Sequence, residues 1–475
     1  MILKRAFFWP DSHPSLGLGL DLPAASIIDR ATSSSSETLV GWTSNPDTRG
    51  TTSIIYTCIA VLLLCSYNCL HENIPPSIYL HTPPRTLWGI PAFPHRLAVS
   101  AVWSKLTKTL WLALLPESGV AVATVEYSMA RQTLHDVRCS HASHRPWYKF
   151  HYNQIHTNTP PWSEDELKTG LRNEITIAHA FYADMGGFVR MNAVGDENPR
   201  DRPADGWPVD LHQYVMFLRL SSPKTRKRYL LRQGDIEGFA KADGLSKLLA
   251  LIQSAWLIIS CIGRHAAGLP ITPLELASAA YVVCAAFMYG LWWDKPYGAV
   301  QRTVLHDFDD DMARAIAARY AETPSDTAPM RGTTMDPGDT YESAINLLTW
   351  NVVEVANFKD RAVQPLLFYL VSMLFGGVHL LAWNWAFPSD GVMKAWRAFS
   401  LVCTLTPVLV TMTSALLLAR FGFVRSLAPP LIFLLSSVYL LSRVATLFLA
   451  FYSLRSSPAT TYKALSWSAY MPSFG

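Results

Sequence analysis

Charge is scarce in this sequence. Asp, Glu, Lys and Arg make up 16% of 475 residues, and the formal net charge at pH 7 is only +4. A nucleic-acid partner would call for a basic surface that this balance does not supply. Cysteine gives no framework either. Of seven cysteines, Cys58, Cys65, Cys69, Cys261, Cys284 and Cys403 lie in apolar runs and only Cys139 in a polar one, without the paired spacing of disulfides or zinc knuckles. Thiols in such runs behave mostly as small hydrophobes. A Walker loop, a G-x-S-x-G elbow, a haem cysteine motif and the N-D-x-x-D pair of membrane prenyltransferases are all missing, which removes the familiar enzyme classes. Lys4 and Arg5 precede only four apolar residues, too few for a signal-peptide core. No repeat of fixed period stands out.

Long apolar runs are plentiful instead, and 50% of the residues are hydrophobic. The chain is organised around residues 244–296, where two apolar runs, 245–263 and 274–293, flank a short turn. Each is close to the ~20 residues that cross a bilayer as a helix, and helix is the form that satisfies its own backbone in lipid. Trp292, Trp293 and Lys295 then supply an aromatic belt and a cationic anchor. Residues 54–70 form a first span, stopped by His71, Glu72 and Pro75, and three more follow at about 364–385, 398–418 and 430–452. The expected fold class is therefore an all-α polytopic membrane protein with about six transmembrane helices (range six to eight) and a mixed polar cytosolic region.

Between these spans the reading is less regular. Residues 97–130 carry Lys105 and Lys108 inside an apolar run, and each lysine would cost ~3 kcal/mol near the bilayer centre. That segment reads as an interfacial helix or a weak hairpin. Residues 1–53 form a polar leader, 131–243 and 297–362 polar cytosolic regions, and 455–475 a short tail. In the first polar region, Ser163 and Glu166 make a capping box for a helix expected to run to Asp184, with Gly186 and Gly187 as its stop. A strand is expected in the YVMFLRL run near residues 207–220, followed by a basic cluster at 224–228. Lysine and arginine counts place both open ends of the 244–296 hairpin in the cytosol, and with six spans both termini on the opposite side.

Two residues are candidates for chemistry. Arg443 sits mid-way along the last apolar run, where a charge costs ~3 kcal/mol and normally pairs or lines a polar pathway; a clamp to Asn68 or a backbone carbonyl is the plainer alternative. His379 could serve as a general base, since its pKa lies near working pH; a hydrogen-bonded packing residue is the commoner role. The run of His135, Cys139, His141, His144, His151 and His156 matches neither a zinc finger nor H-E-x-x-H. Asp307, Asp309 and Asp310 fit the D-x-D-D of class II terpene cyclases, but lie in a polar loop rather than the apolar cavity such an acid needs. No motif implies a cofactor or a metal.

Several scattered signatures carry a resemblance. They are Gly41-Trp42 with Arg49-Gly50-Thr51, Leu70-His71 with Ile74-Pro75, Pro116-Glu117, Met185-Gly186-Gly187-Phe188, and Gln253 with Trp256. Trp292-Trp293-Asp294-Lys295-Pro296, Gly376-Gly377 with His379 and Ala382-Trp383, and Phe387-Pro388 complete the set. From about Gly41 onward the chain resembles a family of multi-pass membrane proteins of filamentous fungi. That resemblance implies a fungal polytopic protein and transfers no activity or catalytic residue. Two functions follow as expectations. One is a scaffold, sensor or transport component; the other is an intramembrane enzyme on a terpenoid or acyl lipid, with His379 and Arg443 as its catalytic pair. The partners expected are the lipid bilayer and a lipophilic small molecule, in an endomembrane such as the endoplasmic reticulum or in the plasma membrane.

Overall fold

The computed structural model describes residues 39–44, 49–74, 86–87, 90–91, 96–138, 162–192, 206–240, 244–321, 363–415 and 422–465. In chain order the helices of the first part are α1 (Thr51–Cys69), α2 (Arg96–Leu114) and α3 (Pro116–Arg138). The polar region follows with α4 (Glu164–Lys168), α5 (Leu171–Glu174), α6 (Ile177–Asp184), α7 (Leu211–Leu220), α8 (Pro223–Tyr229) and α9 (Gln233–Gly238). The central pair is α10 (Gly244–Ala266) and α11 (Pro273–Leu291), then α12 (Asp310–Ala321) returns to the polar region. Last come α13 (Val363–His379), α14 (Asp390–Ala415) and α15 (Gly422–Tyr452).

Five of the described helices are long and apolar enough to cross a membrane: Thr51–Cys69, Leu248–Ala266, Pro273–Leu291, Asp390–Val410 and Ser426–Arg455. The span expected at 364–385 is α13 with a 3-10 turn, and its apolar stretch Leu370–Ala382 is shorter than the expected length. Local sequence explains the boundaries. Thr272 and Glu275 form a capping box and Pro273 takes the first helical position of α11, which satisfies orphan donors and needs no N–H from the proline.

The bundle has two distinguishable ends. At one, Arg49 pairs with Glu275, Thr51 Oγ1 donates to Tyr462 Oη at 3.3 Å, and Arg264 donates to the carbonyls of Pro270, Thr461 and Lys463. Leu39–Val40 pairs antiparallel with Ser457–Pro458 at this end. At the other, the polar region docks. Its three-stranded sheet has Phe188–Arg190 at the centre, antiparallel to Trp207–Pro208 and parallel to Thr303–Val304. One continuous buried cluster runs from Ile54 and Cys58 of α1 to Phe181, Phe188, Tyr214 and Phe217 of the polar region. The polar region thus shares a core with the helices rather than resting on them.

Two expectations change. The helix from Ser163 is broken at Gly170, which holds φ +72°, so α4, α5 and α6 replace one element; the capping box at Ser163 and the glycine stop at Gly186 (φ +77°) are present. The expected strand in YVMFLRL is α7, started by Asp210, whose carboxylate accepts from the Gln213 N–H at 2.8 Å. Every residue from Tyr214 to Arg219 is buried, so a two-residue alternation carried no information about which face was inside. The D-x-D-D acids are exposed, and Asp309 accepts from Met312 N–H as the cap of α12. Of the histidine run, His135 ends α3 and the rest lies outside the described residues.

The pair Gly376-Gly377 separates cleanly into one contact and one bystander. A Cβ on Gly376 would sit 2.7 Å from the Cys403 backbone of α14, while one on Gly377 would meet nothing within 4 Å. Gly376→Ala must push two backbones apart and is expected to cost about 1–3 kcal/mol, as overpacking does. Gly377→Ala is expected to be neutral or slightly stabilising. Apparent melting temperatures of the two purified variants in one detergent check this; equal behaviour would remove the close approach.

Candidate functional site

The site begins where two helices fail to become one. α2 ends at Leu114 and α3 starts at Pro116, with Leu115 alone between them. Proline is favoured at the first position of a helix and pushes the residue before it out of the helical region. Ser118 secures the turn, its N–H and Oγ both donating to Leu115 O at 3.1 and 2.7 Å. Before the turn, Lys108 pairs with Glu72 at 2.9 Å and Lys105 lies 4.2 Å over the Tyr67 ring, both where α1 ends beside the polar region. After the turn, Glu126 meets Trp292 and Lys295 at that same end. The chain therefore enters the bundle from the polar-region end, turns at Leu115, and leaves by the same end. Nine helical residues from Glu117 to Glu126 rise about 13 Å, roughly half the depth of a 30 Å apolar core. Two helices turning at Leu115 thus occupy this segment, with both lysines at the end of the bundle rather than in its middle.

The tip meets Arg443 of α15. Arg443 Nη2 donates to Leu114 O at 3.1 Å, capping one of the orphan carbonyls that end α2. Its Nε lies 3.7 Å from Glu117 Oε1, and its Cζ is 4.2 Å from the centroid of the Phe375 ring of α13. One turn earlier, Tyr439 donates its hydroxyl to the same Glu117 oxygen. Glu117 stands in the first turn of α3, where a negative charge suits the helix dipole. Glu117, Tyr439 and Arg443 are 0%, 3% and 6% exposed. Glu117 Oε2 and Arg443 Nε have no hydrogen-bond partner among the described residues. Asn68 is not the partner; its side chain donates to Leu64 O at 2.8 Å within α1.

His379 closes the other side of Phe375. It is 1% exposed, its ring centroid is 5.3 Å from that of Phe375 and 5.9 Å from that of Trp396. Nδ1 donates to Phe375 O at 2.9 Å, and Trp396 Nε1 donates to the His379 carbonyl at 3.2 Å. His379 and Arg443 thus flank one aromatic ring. The backbone carbonyl of His379, through Trp396, ties α13 to α14, while the imidazole bonds within α13.

Where the hairpin leaves the bundle, a second set of charges converges. Glu126 Oε2 accepts from Trp292 Nε1 and from Lys295 Nζ, both at 2.7 Å. His71 packs between Trp292 and Tyr297, with centroid separations of 5.3 and 5.2 Å. Arg302 donates to Gly186 O at 3.2 Å and to Ile74 O at 3.1 Å, stitching the polar region to the end of α1. Asp184, the last residue of α6, keeps solvent contact. Protein surrounds it closely enough that burial, aided by the charges of Glu126 and Asp210 and opposed by Lys295, raises its pKa to about 7. Sequence reasoning gave no site role to Glu117, Glu126 or Asp184. Its one available signal was an unmatched arginine in the last run together with a Pro-Glu pair between two apolar pieces, the first carrying two lysines.

Removing one member of the tip pair leaves the other buried and uncompensated. Glu117→Ala or Arg443→Ala is expected to cost about 3–5 kcal/mol, whereas the double replacement Glu117→Gln with Arg443→Met is expected to cost less than either alone. Unfolding titrations in mixed micelles measure all three; additive losses would show that the two side chains do not interact.

Asp184 gives a pH-dependent expectation. Its folded pKa lies above the unfolded value of about 3.9, so the folded state holds the proton more tightly and stability falls as pH rises from about 4 to about 7. Asp184→Asn escapes this loss. The melting-temperature advantage of the variant should grow across that interval and level off above pH 7; a constant offset would show that Asp184 is not desolvated.

Comparison with known proteins places most of the chain in one group. The model of a family of unknown function (DUF8562) matches residues 24–343, a range that includes Glu117, Glu126, Asp184 and Lys295 and stops before α13, so His379 and Arg443 lie outside it. No curated protein and no solved structure matches the chain.

Proposed function

The chain belongs to that family of unknown function, so its role is read from its own site, and we propose that it is a multi-pass membrane protein acting as a transport component. The observation that carries this reading is the half-depth hairpin, which presents a helix N-terminus and a carboxylate to a buried arginine inside the bundle. Interrupted helices ending near mid-membrane are how transporters build polar binding sites in an apolar setting, and irregular backbone at that depth is tolerated where protein covers it. Polar groups inside the apolar helices add to it: Ser66 Oγ meets Tyr281 Oη at 2.7 Å, and Cys65 Sγ meets Ser254 Oγ at 3.0 Å. In this reading α13 is a sixth crossing, the polar region faces the cytosol and both chain ends face away from it, in an endomembrane or the plasma membrane.

The enzyme reading draws support from the closeness of His379 and Arg443 around Phe375. It is weaker because a catalytic base needs the reacting proton within reach, and His379 is engaged with the backbone and two aromatic rings. A scaffold would not require charges at half depth.

A deletion strain of the native host separates the three. Loss of a transport component is expected to redistribute a compound between cells and medium while its total stays level. Loss of an enzyme would lower the total and raise a precursor; loss of a scaffold would leave both unchanged. Wild type should rescue, and Glu117→Gln should not, at equal protein levels by blot. An unaltered distribution across several growth conditions would sink the transport reading.

A further inference from the structure

The tip pair is incomplete in a chemically specific way. Glu117 Oε1 holds both the Tyr439 hydroxyl and the Arg443 contact, which leaves Oε2 as a bare acceptor. Arg443 spends Nη2 on Leu114 O and stacks its plane near Phe375, which leaves Nε as a bare donor. Both atoms are buried in an interior where an unmade hydrogen bond is costly, and they belong to one ion pair of zero net charge. A cation would meet Arg443 and an anion would meet Glu117, so neither charge sign is favoured. A neutral group that donates to Oε2 and accepts from Nε satisfies both at once. A hydroxyl does this with a single oxygen; an ether or a ketone could serve Nε alone.

The surroundings decide what carries the hydroxyl. Phe375, Leu115 and the thiols of Cys284 and Cys403 lie around the pair, and each is buried. The tip lies about 13 Å of helix from the polar-region end of the bundle, and α10, α14 and α15 expose apolar side chains such as Ile262, Met412 and Leu441 along their outer faces. A ligand seated among these apolar groups has an apolar body. We propose that the tip of the half-depth hairpin binds the hydroxyl group of a lipophilic alcohol, with Glu117 Oε2 as acceptor and Arg443 Nε as donor. This names the substrate class of the transport reading above and rests on it. Water offers the same hydroxyl chemistry, and the test tells the two apart.

The experiment uses the full-length protein purified in detergent and three probes of one chain length: dodecanol, its methyl ether and dodecane. Thermal-shift titrations give an apparent dissociation constant for each. Dodecanol is expected to bind at least about 10-fold tighter than the ether, the ratio that one charge-assisted hydrogen bond supplies. Ether and alkane should differ little. In the variant carrying both Glu117→Gln and Arg443→Met, the alcohol should lose its advantage. Glu117→Gln alone leaves an unpaired arginine and need not fold, which is why the comparison of probes on wild type stands without any variant. Equal affinities for the three probes would overturn the proposal and leave water as the hydroxyl at the tip. An alcohol preference that survives the double replacement would overturn it too. Redistribution in the deletion strain without an alcohol preference would keep the transport reading and discard this substrate class; an alcohol preference without redistribution would keep the binding site and discard transport.

Discussion

An ion pair between Glu117 and Arg443 sets the arrangement of this bundle. Arg443 cannot be left unpaired at half depth, and Glu117 cannot be left there either, since each would carry an uncompensated charge in an apolar interior. Their meeting fixes where the α2–α3 hairpin stops, which face of α15 turns inward, and where Phe375 of α13 must lie. Tyr439 and the Leu114 carbonyl complete the contacts. A pair of this kind is weak evidence for net stability, because desolvation offsets much of the attraction. Its stronger effect is on geometry: alternative depths of the hairpin would strand a charge.

The far and near ends of the bundle solve different problems. At one end, Arg264 and Arg49 tie helix termini to the segment that follows α15, using carbonyls that would otherwise end helices without donors. At the other, Glu126 gathers Trp292 and Lys295 while Arg302 gathers Ile74 and Gly186. The polar region is thereby locked to the outlet of the hairpin. Its core aromatic stack, Phe188 on Tyr214 at 3.8 Å, continues the core of the helices rather than starting a new one.

Apolar length was readable from the sequence wherever it was uninterrupted. Residues 54–70, 245–263 and 274–293 correspond closely to α1, α10 and α11, because run length alone sets a span. Arg443 was also legible, since a charge in such a run is rare enough to matter by itself. Its partner was not: contact between Arg443 and the tip joins residues 329 apart, as the Leu114 bond records, and nothing local marks such a pairing. Lys105 and Lys108 argued against a plain span, and they meet Tyr67 and Glu72; that both legs of the hairpin leave by one end has no local mark in the sequence. The miss at YVMFLRL has another cause. A segment buried on every side shows neither a helical nor a strand period, and the Asp210 cap just before it was the better signal.

One consequence concerns the order in which the chain is made. Leu39–Val40 pairs with Ser457–Pro458, and Thr51 at the head of the first long helix meets Tyr462. Glu117 likewise waits for Arg443. During synthesis the first hairpin is therefore made with an uncompensated carboxylate and an open end. Both are closed only when the last helix has left the ribosome. Until then the nascent protein holds a charged, unfinished interior, so its first helices cannot settle before its last has been made.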